Sequence, residues 1–181
     1  MTRNALTKKT RIIIILCICF IMAGCAASPA SYKTIQNINP DIVLKNYKTL
    51  ELTAVKADDS VPITEVAMER IVDDIIGWIE TENPDFYDYI NPTVVKEPAV
   101  QANIIFTKYD KGNAFARAML AGLGQMHIDA ELILKDKNAQ KVIAKYEINK
   151  TFAWGGTVGA FTEIEDCEEG FAKAAAKLLL K

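Results

Sequence analysis

The stretch Met126-His127-Ile128-Asp129-Ala130-Glu131-Leu132-Ile133-Leu134, then Asp136-Lys137-Asn138, then Val142-Ile143-Ala144-Lys145-Tyr146-Glu147-Ile148, decides the fold. Met126, Ile128, Ala130, Leu132 and Leu134 recur at every second position. Successive side chains of a strand point to opposite faces, so this segment has one apolar and one polar side. Asp-Lys-Asn favours a turn. Val142, Ala144, Tyr146 and Ile148 then repeat the alternation as the second arm of a hairpin. A hairpin with one apolar face must be covered, and the rest of the chain has to supply the cover.

Working outward, residues 47–57 alternate well enough for an earlier strand, ended by Asp58-Asp59-Ser60. Pro62 suits the first turn of a helix that reaches about Glu82. Ile63, Ala67, Ile71, Ile75, Trp78 and Ile79 form its apolar face, and Asn83-Pro84 stops it. Phe86 to Val95 is aromatic and β-branched but broken by Pro92, which predicts an edge or irregular strand. Val100, Ala102, Ile104 and Phe106 predict a further strand. Lys111 to Gln125 carries Gly112, Gly122 and Gly124 and reads as a glycine-bearing bend; Phe152 to Gly159 is a second. A last helix is expected from about Phe161 to Leu180. The order β-α-β-β-β-β-α predicts an α+β fold. Its form would be a two-layer sandwich with a mainly antiparallel sheet and two amphipathic helices on one face.

The N-terminus has a different logic. Arg3, Lys8, Lys9 and Arg11 precede a wholly apolar run from Ile12 to Ile21, and Met22-Ala23-Gly24-Cys25 follows. A basic, then apolar, then small-residue order is the layout of a secretory signal peptide. The apolar run is about half the roughly 20 residues a spanning helix needs. Met22 to Cys25 resembles the lipobox of bacterial lipoproteins. That resemblance implies cleavage between Gly24 and Cys25, diacylglycerol on the Cys25 sulfur and fatty acid on the new amino group. No other cofactor is expected. Residues 1–24 are then the signal, 25–45 a lipid anchor and flexible tether, and 46–181 a single α+β domain.

Removing residues 1–24 takes away four basic residues and no acidic one, so the net charge moves from −2 to −6. An acidic surface argues against a nucleic-acid partner and against electrostatic attraction to anionic lipid. Cys17 and Cys19 leave with the signal and Cys25 carries lipid, which leaves Cys167 unpaired. Ile164, Phe171, Ala174 and Leu178 share a helical face with Cys167, so a core position is favoured over redox chemistry.

Candidate chemistry is thin. His127, Asp129 and Glu131 share one strand face, and such residues ligate metals. Yet positions two apart on a strand lie roughly 7 Å apart, and His127 is the only histidine. A solvated polar face accounts for them, and no metal site is expected. Gly122-Leu123-Gly124 lacks the third glycine and the Lys-Ser/Thr of a phosphate loop and precedes a strand, so a tight turn is the better account. Glu163, Glu165, Asp166, Glu168 and Glu169 open the last helix, where negative charge complements the helix dipole. No catalytic residues are assigned.

From Asn113 to Leu180 the chain resembles a family of bacterial envelope lipoproteins described as domain of unknown function 4410. Arg117, Met119-Leu120-Ala121, Gly122-Leu123-Gly124, the strand Ile128–Leu134, Asp136, the strand Val142–Ile148 and the helix Phe171–Leu180 carry the likeness. Lys137-Asn138-Ala139 departs from it, standing where the family has Thr-Gly. The resemblance implies a fold and an envelope location, and no activity.

The expected function is a membrane-anchored, non-enzymatic interaction or accessory subunit of the envelope. It would contact a protein partner through the exposed Arg117–Gln125 segment, with Arg117, Gly122 and Gly124, and through the Trp154 loop. An alternative is a carrier for a small apolar ligand held between helix and sheet. A third reading is a metal-dependent hydrolase using His127. In a Gram-negative cell, Ala26 and Ala27 follow Cys25 where an Asp would retain the protein at the inner membrane, which suggests the outer membrane, facing the periplasm; in a Gram-positive cell the same anchor would leave the domain outside the cytoplasmic membrane.

Overall fold

The computed structural model describes residues 29–37, 43–120, 123–153 and 161–181. The strands are β1 (Ser31–Asn37), β2 (Thr49–Lys56), β3 (Tyr89–Ile90), β4 (Ala99–Asp110), β5 (Met126–Asp136) and β6 (Lys141–Phe152). The helices are α1 (Glu65–Glu82), α2 (Ala114–Met119) and α3 (Ile164–Leu179), and a short 3-10 turn lies at Leu44–Asn46. The six strands form one sheet in the order β1-β6-β5-β4-β2-β3.

The β5–β6 hairpin lies between the β1 edge and β4 in this order. Ala130 faces Ile148, Leu132 faces Tyr146 and Leu134 faces Ala144. Burial alternates along β5 as the sequence predicts. A bulge shifts the register between Leu134 and Lys135, so Ile143 is the extra residue. Ile143 and Ala144 are therefore both buried, and Val142, expected in the core, is half-exposed. A second bulge lies between Phe106 and Lys108. It returns Tyr109 to the same buried side as Phe106. The turn between the arms is held by Asp136, whose carboxylate accepts from the Ala139 amide at 2.7 Å and from the Tyr47 hydroxyl at 2.8 Å.

The expectation of a mainly antiparallel sheet is corrected, because the sheet is mixed. β1, β6, β5 and β4 pair antiparallel, but β2 pairs parallel to both β4 and β3. β2 and β4 are joined through α1, and a parallel pair needs a crossover of that kind. The tether is also shorter than expected. Ser31–Asn37 is a strand that pairs with β6, so folded structure begins well before residue 46. Of the expected strand at Phe86–Val95 only Tyr89–Ile90 pairs.

α1 is capped by Thr64, whose hydroxyl accepts from the Ala67 amide. Ala67, Ile71, Ile75 and Ile79 face inward at a spacing of one turn. α3 begins with a reciprocal cap between Glu163 and Asp166. Its Cys167, Phe171, Ala174 and Leu178 are buried, as its sequence periodicity predicts. The two long helices pack against each other and against the sheet. Their buried residues share one core with the apolar sides of β2, β4, β5 and β6. Phe106 and Phe171 meet in it with ring centroids 5.5 Å apart.

Candidate functional site

The segment from Lys111 to Gln125 links the end of β4 to the start of β5. Its base is closed by the Asn113 amide, which donates to the Gly124 carbonyl at 3.2 Å. Gly112 and Gly124 have φ of +61° and +71°, and a Cβ on either would run into backbone oxygen across the neck. Only glycine fits both the conformation and the space. Within the loop, Asn113 caps α2 by accepting from the Ala116 amide. α2 itself falls where sequence reading expects only a bend.

Arg117 is not the surface contact residue the sequence suggested. It is 3 % exposed. Its guanidinium donates to the Lys111 carbonyl at 3.2 Å, to the Gly124 carbonyl at 2.9 Å and to the Thr162 carbonyl at 3.1 Å. A planar fork of donors suits three carbonyls converging from two loops. Arg117 therefore pins the segment and ties it to the start of the α3 region. The exposed residues are its neighbours. Phe115, Met119, Leu120 and Leu123 are 74, 67, 53 and 58 % exposed, and Phe161, next to the Thr162 that Arg117 holds, is 85 % exposed. Singly exposed apolar residues are ordinary, whereas here several large ones are held on one pinned loop. Cys25, Gly24, Gly122 and Trp154 lie outside the described residues.

The polar side of the hairpin is arranged in pairs. The His127 ring nitrogen Nδ1 lies 3.1 Å from the Thr151 hydroxyl, Asp129 accepts from the Asn149 amide at 3.1 Å, and Glu131 pairs with Lys145 at 2.7 Å. Each carboxylate thus has a cross-strand partner on β6. No group of three or more His, Cys, Asp or Glu side chains placed to hold a metal occurs among the described residues.

A buried ionic cluster joins three elements. Glu168 of α3 is fully buried. Its carboxylate accepts from Arg70 of α1 through Nε at 2.7 Å and Nη2 at 2.9 Å, and from the Tyr109 hydroxyl of β4. The hydrogen bonds to Glu168 raise the Arg70 pKa, and burial followed by the Glu168 contact raises that of Tyr109. The cluster lies under the helix pair with each polar group satisfied, which makes it a tie between helix and sheet. Cys167 is fully buried beside it, and burial pushes its thiol up to about 11. At neutral pH it is a thiol with little nucleophilic character.

A groove of about 480 Å³ lies between β2 and α1. Leu52, Ala54, Met68 and Val72 give it an apolar floor, and Glu65, Glu69 and Asp73 line it as well. Among the described residues, no helix is long and apolar enough to cross a membrane.

The fold recurs in PelC from Paraburkholderia phytofirmans, a dodecamer. The TM-score is 0.54 at 9 % identity, covering 83 % of this chain and 97 % of that one. A DUF330 protein from Xanthomonas campestris is more distantly similar, with a TM-score of 0.46 at 12 % identity over 74 % of this chain and 81 % of that one. No curated protein sequence matches the chain. The family model described as domain of unknown function DUF4410 matches residues 21–156. The loop neck, Arg117, the hairpin and its Asp136 turn all lie inside that match, and the chain belongs to the DUF4410 family.

Proposed function

We propose that this chain is a bacterial lipoprotein, held on a membrane by lipid on Cys25, that works by contact with other components of the envelope and not by chemistry. It would serve as an accessory or interaction subunit. The lack of Asp after Cys25 supports the periplasmic side of an outer membrane. The observation that carries the reading is the pinned apolar platform of Phe115, Met119, Leu120 and Leu123. A monomer gains nothing from holding four large apolar side chains in water, whereas a contact surface needs them presented in a fixed geometry. The ionisable groups of the domain support it from the other side. Arg70, Tyr109 and Glu168 are engaged with one another, and His127, Asp129 and Glu131 have cross-strand partners.

The test is photocrosslinking in intact envelopes, with a photoreactive residue placed in turn at Met119, at Leu123 and, as control, at Asn138 in the exposed β5–β6 turn. Adducts with lipid or with a defined protein are expected at the first two positions and few at the third. Equal background yields at all three would contradict the reading.

A further inference from the structure

We infer that the surface met by this platform is the lipid leaflet that carries the Cys25 anchor. The inference rests on the proposed reading of the chain as a lipid-anchored contact protein, and it names the partner of that site. It comes from which end of the sheet each feature occupies. β1 begins at Ser31, opposite Asn149 of β6. Asn149 is three residues from Phe152, where β6 ends, so it lies roughly 10 Å from that end. Phe152 pairs with Met126, the first residue of β5, and His127 pairs with Asp110, the last of β4. The loop from Lys111 to Gln125 joins Asp110 to Met126 and therefore closes this same end. Phe161 is brought to it through the bond between Arg117 and Thr162.

The anchor enters at that end too. Cys25 precedes Ser31 by six residues, a span of at most about 20 Å fully extended. Lipid on Cys25 thus holds the platform end of the domain near the bilayer surface, and the β5–β6 turn with Asn138 lies at the far end of the same strands. Tethering makes docking on the leaflet an intramolecular event, so a modest apolar contact is enough. The chemistry fits neutral as well as anionic lipid. With residues 1–24 removed the chain carries a net charge of −6, and no basic cluster would be needed for side chains that insert shallowly among acyl chains.

The experiment uses the protein purified from membranes and reconstituted into phosphatidylethanolamine–phosphatidylglycerol vesicles. An environment-sensitive fluorophore is attached at Leu123→Cys, at Met119→Cys as an independent position, and at Asn138→Cys as the far-end control. The buried Cys167 stays unlabelled. The two platform labels are expected to emit at shorter wavelength and to be quenched several-fold more than the control by lipids spin-labelled on the acyl chain, with little change at high salt. A blue shift without quenching by spin-labelled lipid would overturn the inference, because the platform would then be covered by protein; the broader contact reading would survive. Emission as in water at both platform positions would overturn the leaflet inference, and the crosslinking in intact envelopes would then decide the broader contact reading.

Discussion

Glu168 is the residue on which the interior is most exacting. A buried carboxylate persists only when its lone pairs are filled, and Arg70 and Tyr109 fill them. Arg70→Ala strands that carboxylate and is expected to cost about 3 kcal/mol, read from urea unfolding. Glu168→Gln is expected to cost less, because the Arg70 side chain is 39 % exposed and can turn to water or to Glu165. A loss for Arg70→Ala no larger than that of a surface substitution, about 0.5 kcal/mol, would count against the tie. Asp74 sits uneasily near the same cluster. Burial, then Glu168 and Glu169, raise its pKa above the ordinary 3.8. Its folded form thus binds a proton more readily than its unfolded form, and stability from this group rises as pH falls through the folded value, levelling off below 3.8. Asp74→Asn is therefore expected to raise the urea midpoint at pH 7, with the gain shrinking on acidification. A gain independent of pH would contradict the assignment. Much of this was within reach of the sequence. Glu168 lies one turn after Ile164 and three residues before Phe171, inside the apolar stripe of the helix, and a charged residue there needs a partner. The identity of that partner, about a hundred residues away, is a matter of tertiary packing that no local spacing encodes.

At the scale of elements, the loop from Lys111 to Gln125 depends on one side chain. Arg117→Lys keeps the charge but loses the fork that reaches three carbonyls. Amide exchange within the loop is expected to speed by at least tenfold, while amides of β4, β5 and β6 stay protected. Acceleration spread evenly over the sheet would mean that Arg117 serves general stability and not the loop. The hairpin beside this loop was legible because a period of two with a polar turn has few other solutions. The bulge at Ile143 in its second arm and the one at Thr107 in the neighbouring β4 were not, since an extra residue changes register without changing composition. Likewise, Gly112 and Gly124 announced a turn, and the capped helix between them was hidden by its length of six residues. Arg117 was read as a surface contact residue, and the structure buries it. An arginine in a glycine-rich loop reads as exposed until the carbonyls around it are known.

At the scale of the molecule, two long-range pairings escaped the sequence. β1 reads as tether because Ser31 to Asn37 is mostly polar, with Tyr32 and Ile35 the large apolar residues, each 46 % exposed on an edge strand. Edge strands need no apolar face on the open side, so their pattern is weak. The parallel pairing of β2 with β4 could have been suspected from the helix between them, for a strand–helix–strand order is how parallel neighbours are connected. The first of these bears on the proposed function. Pairing of β1 with β6 starts the folded domain at Ser31, and it sets the end of the sheet at which the proposed anchor would enter. The central claim is that this domain is held to a membrane at that end by lipid on Cys25. Intact-mass spectrometry of the protein extracted from its native membranes tests this most directly. The account predicts a chain that begins at Cys25 and carries the added mass of diacylglycerol, with or without a further acyl group. A chain that begins elsewhere, or one that begins at Cys25 without added lipid mass, would contradict it.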